Sequence, residues 1–222
     1  MIYKTIIKRL IDIILSLLSL IVLSPVLIVI VFLLLITGEN EVFYFQERIG
    51  FKNKKFKIWK FATMLKNSSK FGAGMYTTRK DPRVLPVGVF LRKTKINELP
   101  QLINVFLGDM SIVGPRPLTE STFTPYSDEI KKCIYNVKPG LTGTGSVFFR
   151  DEEELLSNTD MPLAEYYKMF ISPYKGALEI WYQKNISFYT DFMLIFLTVW
   201  VVVFPNSNLM FNVFNDLPKK KI

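Results

Sequence analysis

The chain has 222 residues, half of them hydrophobic, with a net charge of +9, one cysteine and no histidine. That length buries one good core, or one modest domain plus a membrane element. The charge favours anionic partners such as phospholipid head groups or phosphorylated substrates, and nucleic acid is disfavoured because no RNP, helix-turn-helix or zinc-finger pattern is present. Without histidine, Ser-His-Asp and Cys-His catalysis and His-based zinc sites are excluded. Cys133 alone forms no internal disulfide and suits a cytosolic setting. What remains is carboxylate, amide, hydroxyl, Lys and Arg chemistry, an inventory that suits phosphoryl transfer.

Lys4, Lys8 and Arg9 precede an apolar run, Leu10–Ile36, interrupted mainly by Asp12, Ser16, Ser19, Ser24 and Pro25. The run is too long for a signal-peptide core, and no small-x-small cleavage site follows. By length it could span a bilayer. Pro25 argues otherwise, since it removes a backbone bond and clashes with the preceding turn. The arms on either side would be roughly 22 and 16 Å long, each short of a roughly 30 Å hydrocarbon core. Basic residues lie on both flanks, with Arg48, Lys52, Lys54 and Lys55 following, so both ends prefer the cytoplasmic side. On these features a kinked spanning helix and a helix that enters and leaves by one face stand even.

Val42–Phe45 and Lys55–Phe61 are rich in β-forming residues, with Gly50 and Asn53 between them, which predicts a hairpin. Its lysines interleave with Phe51, Phe56, Trp59 and Phe61, as beside an anionic membrane surface or in a solvated basic hairpin. Lys66–Thr78 is Ser/Gly-rich and reads as a loop, and Asp81-Pro82-Arg83 as a turn.

Leu91–Leu118 concentrates the chemistry. Leu99, Leu102, Ile103 and Phe106 recur at i, i+3, i+4 and i+7, one face of a helix. Pro100 belongs in its first turn, Asn97 near the N-cap, Glu98 where the dipole favours an anion, and Gly108 at the C-cap. Beyond Asp109, the sequence Gly114-Pro115-Arg116-Pro117 cages an arginine between two prolines. Such a grouping suits a pyrophosphate-and-metal site, or it is simply a capped helix and a polar loop. Asp128–Tyr135 reads as a short helix, and Lys138–Gly143 as a glycine-punctuated loop able to approach a phosphate. Asp151–Glu154 reads as a solvated acidic helix start. Phe192–Phe204 has one polar residue, Thr198; at thirteen residues it is short for a span and suits an interfacial helix, with Lys219-Lys220-Lys221 facing anionic lipid.

Taken together, the Leu91–Leu118 residues resemble the core motif of the bacterial sugar transferases, the monotopic polyprenyl-phosphate phosphoglycosyl transferases. The resemblance runs from Ser24-Pro25 to Asp191. It takes in Gln46, Arg48, Gly50, Phe56, Lys60–Met64, Asp81, Arg83, Gly88, Arg92, Gln101, Asp109, Pro115, Pro117, Lys138–Gly143 and Tyr182–Asp191. Ala62 departs from a usual Arg or Lys, and the stretch before Arg150 diverges. The main departure is Asn97-Glu98, where the family has Asp-Glu.

The resemblance implies an α/β domain, mostly helical with little sheet, monotopic on the membrane, with a re-entrant N-terminal helix broken at Ser24-Pro25. It divides the chain into 1–38 (membrane helix), 39–191 (cytosolic transferase domain) and 192–222 (interfacial helix and basic tail). The implied reaction moves a sugar 1-phosphate from a UDP-sugar to polyprenyl phosphate with Mg²⁺, on the cytoplasmic face of the bacterial inner membrane. This is the first membrane step of polysaccharide assembly. Asn97 and Glu98 would hold the catalytic positions, with Glu98 also on the metal, and Arg92, Arg116 and Arg150 would bind substrate phosphate. Membrane lipids are expected partners, nucleic acid is not, and a homo-oligomer is left open. Because an amide has no ionisable oxygen, Asn97 leaves three readings. Glu98 or Asp109 takes over, or the chain is a tethered nucleotide-sugar or lipid-phosphate binding protein, or an amide has replaced a carboxylate by drift or design.

Overall fold

The computed structural model describes residues 2–37, 39–68, 81–205 and 207–219. The loop expected over Lys66–Thr78 lies outside them from residue 69, as does the tail from residue 220. A π-helical turn, Tyr3–Ile7, leads into α1 (Lys8–Thr37). The antiparallel hairpin of β1 (Phe43–Ile49) and β2 (Lys55–Phe61) follows, with Arg48 opposite Phe56. Then come α2 (Pro86–Lys93), a 3₁₀ turn at Ile96–Glu98, α3 (Gln101–Leu107), β3 (Ser111–Val113), α4 (Glu120–Phe123) and α5 (Asp128–Cys133). Strand β4 (Gly140–Thr142) pairs parallel to β3. Helices α6 (Thr144–Phe148), α7 (Glu152–Ser157), α8 (Leu163–Tyr166), α9 (Ser172–Lys184), α10 (Phe188–Val203) and α11 (Leu209–Val213) complete the chain. The fold is mostly helical with two small sheets, as expected.

Helix α1 is apolar and long enough to cross a membrane. Polar residues near its start and apolar residues near its end hold it to the rest of the protein. Asp12 is 3% exposed and accepts hydrogen bonds from the Ile112 N–H (2.9 Å) and Ser111 Oγ (3.0 Å), which fixes α1 to β3. Arg9 donates to the Val105 and Phe106 carbonyls (2.7 and 2.8 Å), satisfying the C-terminal end of α3. Lys8 pairs with Asp191 at 2.6 Å, and the Tyr3 and Tyr182 hydroxyls donate to the same carboxylate at 2.7 Å. At the other end, Ile30 and Leu34 are buried with Phe61 and Leu91. Between Ser16 and Ile30 no residue of α1 is buried.

Sequence reasoning divides α1 into two arms at Ser24-Pro25, whereas the helix runs through that pair without losing its helical state. Pro25 has no N–H for the Ile21 carbonyl four residues back. The Ser24 hydroxyl donates to that oxygen at 2.8 Å, so the orphaned acceptor is satisfied inside an apolar segment.

The structure corrects α3 in two respects. Asn97 does not cap it: Asn97 sits in the preceding 3₁₀ turn, and Pro100 occupies the N-cap position with no side-chain cap. The buried face is Gln101, Leu102, Asn104 and Val105, while Phe106 is exposed. Asn104 explains the shift. Its amide accepts from Trp59 N and donates to the Lys57 carbonyl, both at 2.9 Å, so this polar residue turns inward to meet β2. Gly108 ends the helix at φ 96°, as the sequence predicts.

The main core joins Tyr135, Tyr167, Leu178, Tyr182, Leu194 and Leu197. Helix α10 therefore packs one face into it, while Phe192, Phe196, Val199, Val202 and Val203 remain exposed on the other.

Asp12→Ala leaves the buried Ser111 hydroxyl and the part-buried Ile112 N–H without their acceptor, a loss of about 1–3 kcal/mol. Thermal unfolding in detergent is expected to show a Tm several degrees below that of the parent chain, with a larger drop than for the exposed-site control Ile14→Ala.

Candidate active site

The Gly114–Leu118 loop is fixed by its own backbone. Four consecutive carbonyls each have a different partner. Pro115 O accepts from Gly140 N (2.8 Å), Arg116 O from the Tyr135 hydroxyl (2.8 Å), Pro117 O from Arg48 Nη1 (3.0 Å) and Leu118 O from Ile49 N (2.9 Å). The Tyr135 oxygen also accepts from Leu118 N at 2.8 Å. Gly114 and Gly140 let the two strands' ends touch, since a Cβ on Gly140 would lie 2.1 Å from Gly114 N. The Lys138–Gly143 loop thus supports the arginine loop; its Gly140 amide is taken by Pro115 and is not presented to a phosphate.

Arg116 reaches from this loop to Glu98, with Nη2–Oε1 at 2.7 Å and Nη1–Oε2 at 3.2 Å. Lys60, from β2, meets the same Oε1 at 2.9 Å. Burial alone would push the Glu98 carboxyl up, but Arg116 and Lys60 outweigh it and hold it well below the usual carboxylate range. Burial lowers Lys60 to about 8, Glu98 opposes this, and Arg48 and Arg116 add to it. Arg48 falls to about 10, through burial and then Arg116. Its head group is oriented by Gln46 Oε1 (2.5 and 3.1 Å). Three cations around one carboxylate leave an unbalanced positive field, which favours an incoming anion.

These groups border a cavity of about 480 Å³, whose wall also carries Arg83, Arg92, Lys95 and Asn97. Arg83 is buried and pairs with Asp81 at 2.6 Å. So Arg48, Lys60, Arg83, Arg92, Asn97, Glu98 and Arg116 do meet at one site. Gln101 is buried in the first turn of α3, and Pro115 and Pro117 stiffen the arginine loop. Arg150 is not in this cavity. It donates to the Val201 carbonyl and lines a second, apolar cavity alongside. Asp109 is exposed beyond α3, where it accepts from Asn104 Nδ2 (3.3 Å), and does not border the site.

Asn97 is 6% exposed, and its Oδ1 has no hydrogen-bond partner within the protein. Among the described residues no group of three His, Cys, Asp or Glu side chains could hold a metal on its own. A Mg²⁺ ion needs only one or two protein oxygens when substrate phosphates and water complete its shell. Asn97 Oδ1 and the adjacent Glu98 carboxylate fit that lesser requirement.

Sequence reasoning missed the pairing of Lys60 with Glu98, the Tyr135 clamp, and the anchors Asp12 and Asp191. Asp12 carried a usable signal, because an ionisable residue inside an apolar run is costly unless partnered. Tyr135 carried none, since its partners are backbone groups distant in sequence.

Residues 3–205 match the bacterial sugar transferase family, and the chain is a member of it. It is 37% identical over 198 residues to a UDP-glucose:undecaprenyl-phosphate glucose-1-phosphate transferase of Klebsiella pneumoniae, covering 87% of this chain and 39% of that protein. An Escherichia coli K12 protein with the same description is 36% identical, over 83% of this chain and 39% of its own length. The exopolysaccharide production protein ExoY of Sinorhizobium fredii is 33% identical, over 86% of this chain and 83% of that protein. The chain thus spans about two fifths of the first two and most of the third.

Lys60 gives a pH test. Its folded value of about 8 lies below the ordinary 10.5, so the unfolded chain binds more protons between these values. Its contribution to stability therefore rises with pH across about 8 to 10.5, and is lost as pH falls through about 8. Urea midpoints for the parent chain and Lys60→Met are expected to differ in slope over that window, with the shallower rise in the variant.

Proposed function

We propose that the chain transfers a sugar 1-phosphate from a UDP-sugar to a polyprenyl phosphate, releasing UMP, at the cytoplasmic face of a bacterial membrane. The observation that carries this reading is the basic cavity built on Glu98, Lys60, Arg48 and Arg116, whose wall residue Phe61 packs against Ile30 and Leu34 of a long apolar helix. The similar proteins named as undecaprenyl-phosphate transferases support the lipid acceptor and the UDP-sugar donor. Phosphoryl transfer needs positioning and charge neutralisation above all. Arg116 is rigidly presented and forked, so it suits a phosphate oxygen pair. Lys60 and Arg48 add charge where the diphosphate would lie. Mg²⁺ held by Glu98 and Asn97 Oδ1 would offset further diphosphate charge.

The membrane course is part of the same reading: α1 enters and leaves by one face, bending away from the domain near Ser24-Pro25. Fully buried residues at Asp12 and Ser16 and again at Ile30 and Leu34, with no fully buried residue between, support this course. The outer face of α10 lies in the same interface. Cysteines at Tyr3 and Asn40 are expected to resist an impermeant maleimide added from the periplasm, and labelling of either would refute the course.

Asn97 gives the functional test. The reading of the chain as a binding protein draws on its amide, which offers no anionic oxygen to attack phosphorus. The parent chain, assayed with a panel of UDP-sugars, polyprenyl phosphate and Mg²⁺, is expected to release UMP. Asn97→Asp places a carboxylate at a buried cavity position and is expected to release UMP even without lipid, with a phosphosugar adduct on the introduced carboxylate. No turnover by the folded parent or variant would leave the binding reading standing.

A further inference from the structure

We propose that the second cavity holds the phosphate-bearing end of the polyprenyl phosphate while the basic cavity holds the UDP-sugar. The lipid phosphate then attacks the sugar-bearing phosphorus directly, in one ternary complex. This rests on the transferase reading above.

Each cavity has a volume of about 480 Å³, and the two share Lys95, Glu98, Arg116 and Glu152 in their walls. They meet at the Glu98–Arg116 pair. Their other walls differ in kind. The first is lined by Arg48, Lys60, Arg83 and Arg92, the second by Leu141, Val147, Phe149, Ile195, Val199 and Val202. Val199 and Val202 are 63% and 57% exposed, on the outward apolar face of α10. The second cavity therefore opens onto the surface that α10 offers to hydrocarbon. An isoprenoid chain can enter it from a bilayer without crossing water, and no nucleotide is expected to prefer that route. At its inner end Lys95 and Arg116 face both chambers, and Arg150 and Lys175 stand in the apolar wall. The occupant this selects is apolar along its length and anionic at its tip.

The side chains at the junction favour direct attack. Asn97 cannot become an anion, Asp109 lies away from both chambers, Glu152 is paired with Lys175, and both Glu98 oxygens are engaged by Arg116 and Lys60. The lipid phosphate supplies the missing anionic oxygen. One P–O bond forms between that oxygen and the sugar-bearing phosphorus. The bond from this phosphorus to the bridging oxygen breaks, and its electron pair leaves with UMP. The products are polyprenyl diphosphate sugar and UMP, with no phosphosugar carried on the protein. Arg116, facing both chambers, holds the charge of donor and acceptor together.

The experiment uses the full chain in nanodiscs with a UDP-sugar, labelled UMP, and polyprenyl phosphate present or omitted. Expected are UMP release only with the lipid, no exchange of labelled UMP into UDP-sugar without it, and intersecting initial-rate lines. Exchange or a UMP burst without lipid, alongside normal turnover, overturns direct attack and leaves the transferase reading intact. Absence of turnover with every sugar overturns both the transferase reading and direct attack. The lipid site has its own readout, independent of turnover: a polyprenyl phosphate carrying a diazirine near its phosphate. Label is expected on peptides spanning 141–150 and 195–202, and is expected to fall about tenfold in Val199→Trp/Val202→Trp, the equivalent of roughly 1.4 kcal/mol in affinity. Label confined to α1, or unchanged in the variant, overturns the assignment of the cavity.

Discussion

A carboxylate with little access to water is stable as an anion only if cations come to it, and Glu98 has drawn three chain segments together for that reason. Lys60 arrives from the hairpin, Arg116 from the loop after β3, and Glu98 itself from the 3₁₀ turn before α3. Remove the carboxylate and Lys60, Arg48 and Arg116 repel one another across a poorly solvated gap. The backbone clamp on residues 115–118 makes sense in that setting. Arg116 can hold a carboxylate and still present charge to a cavity because its own carbonyl is held by Tyr135 and its neighbours by Gly140, Arg48 and Ile49. The charge balance around Glu98 is incomplete: one carboxylate among Lys60, Arg48 and Arg116 favours a further anion.

The docking of α1 follows a related logic with different partners. A 35-residue apolar helical segment has no reason to prefer a polar domain over lipid. What attaches it at one end are a few ionisable side chains, each with a defined partner: Asp12 on β3, Arg9 on the end of α3, Lys8 on Asp191. At the other end Ile30 and Leu34 join a small apolar cluster with Phe61 and Leu91. The same ring of ionisable contacts orders Tyr182 and the start of α10, so the two apolar helices are positioned by one shared polar network. Their exposed apolar surface is thereby coupled to β3, the strand that leads into the arginine loop.

Much of this was legible in the residues. Proline on both sides of Arg116 announced a stiff loop, Gly108 announced the end of α3, and two β-forming runs around Gly50 and Asn53 announced the hairpin. The fold class and the grouping of Arg92, Glu98 and Arg116 followed from the dense motif. What failed did so for physical reasons. The stripe Leu99, Leu102, Ile103 and Phe106 misjudged α3 because hydrophobic periodicity assumes water outside, whereas this helix turns Asn104 inward to satisfy backbone groups and leaves Phe106 outward. Asn97 was assigned to a cap because capping preference is local, while the 3₁₀ turn ahead of α3 is set by Lys95 at φ 60° and by the pull on Glu98. Arg150 lines the second cavity and not the one with Arg116, a placement its sequence did not show because its partner, the Val201 carbonyl, lies 51 residues on.

The placement of Asn104 has a consequence for the protein's solution behaviour. A two-stranded hairpin offers an outer edge whose unpaired amide and carbonyl can recruit a strand from another molecule. One primary amide, which can accept and donate at once, occupies both Lys57 O and Trp59 N on that edge and so acts as a surrogate third strand. It ends the ladder after one rung. At those two residues the hairpin edge is closed from within the chain and is not open to a strand from another molecule.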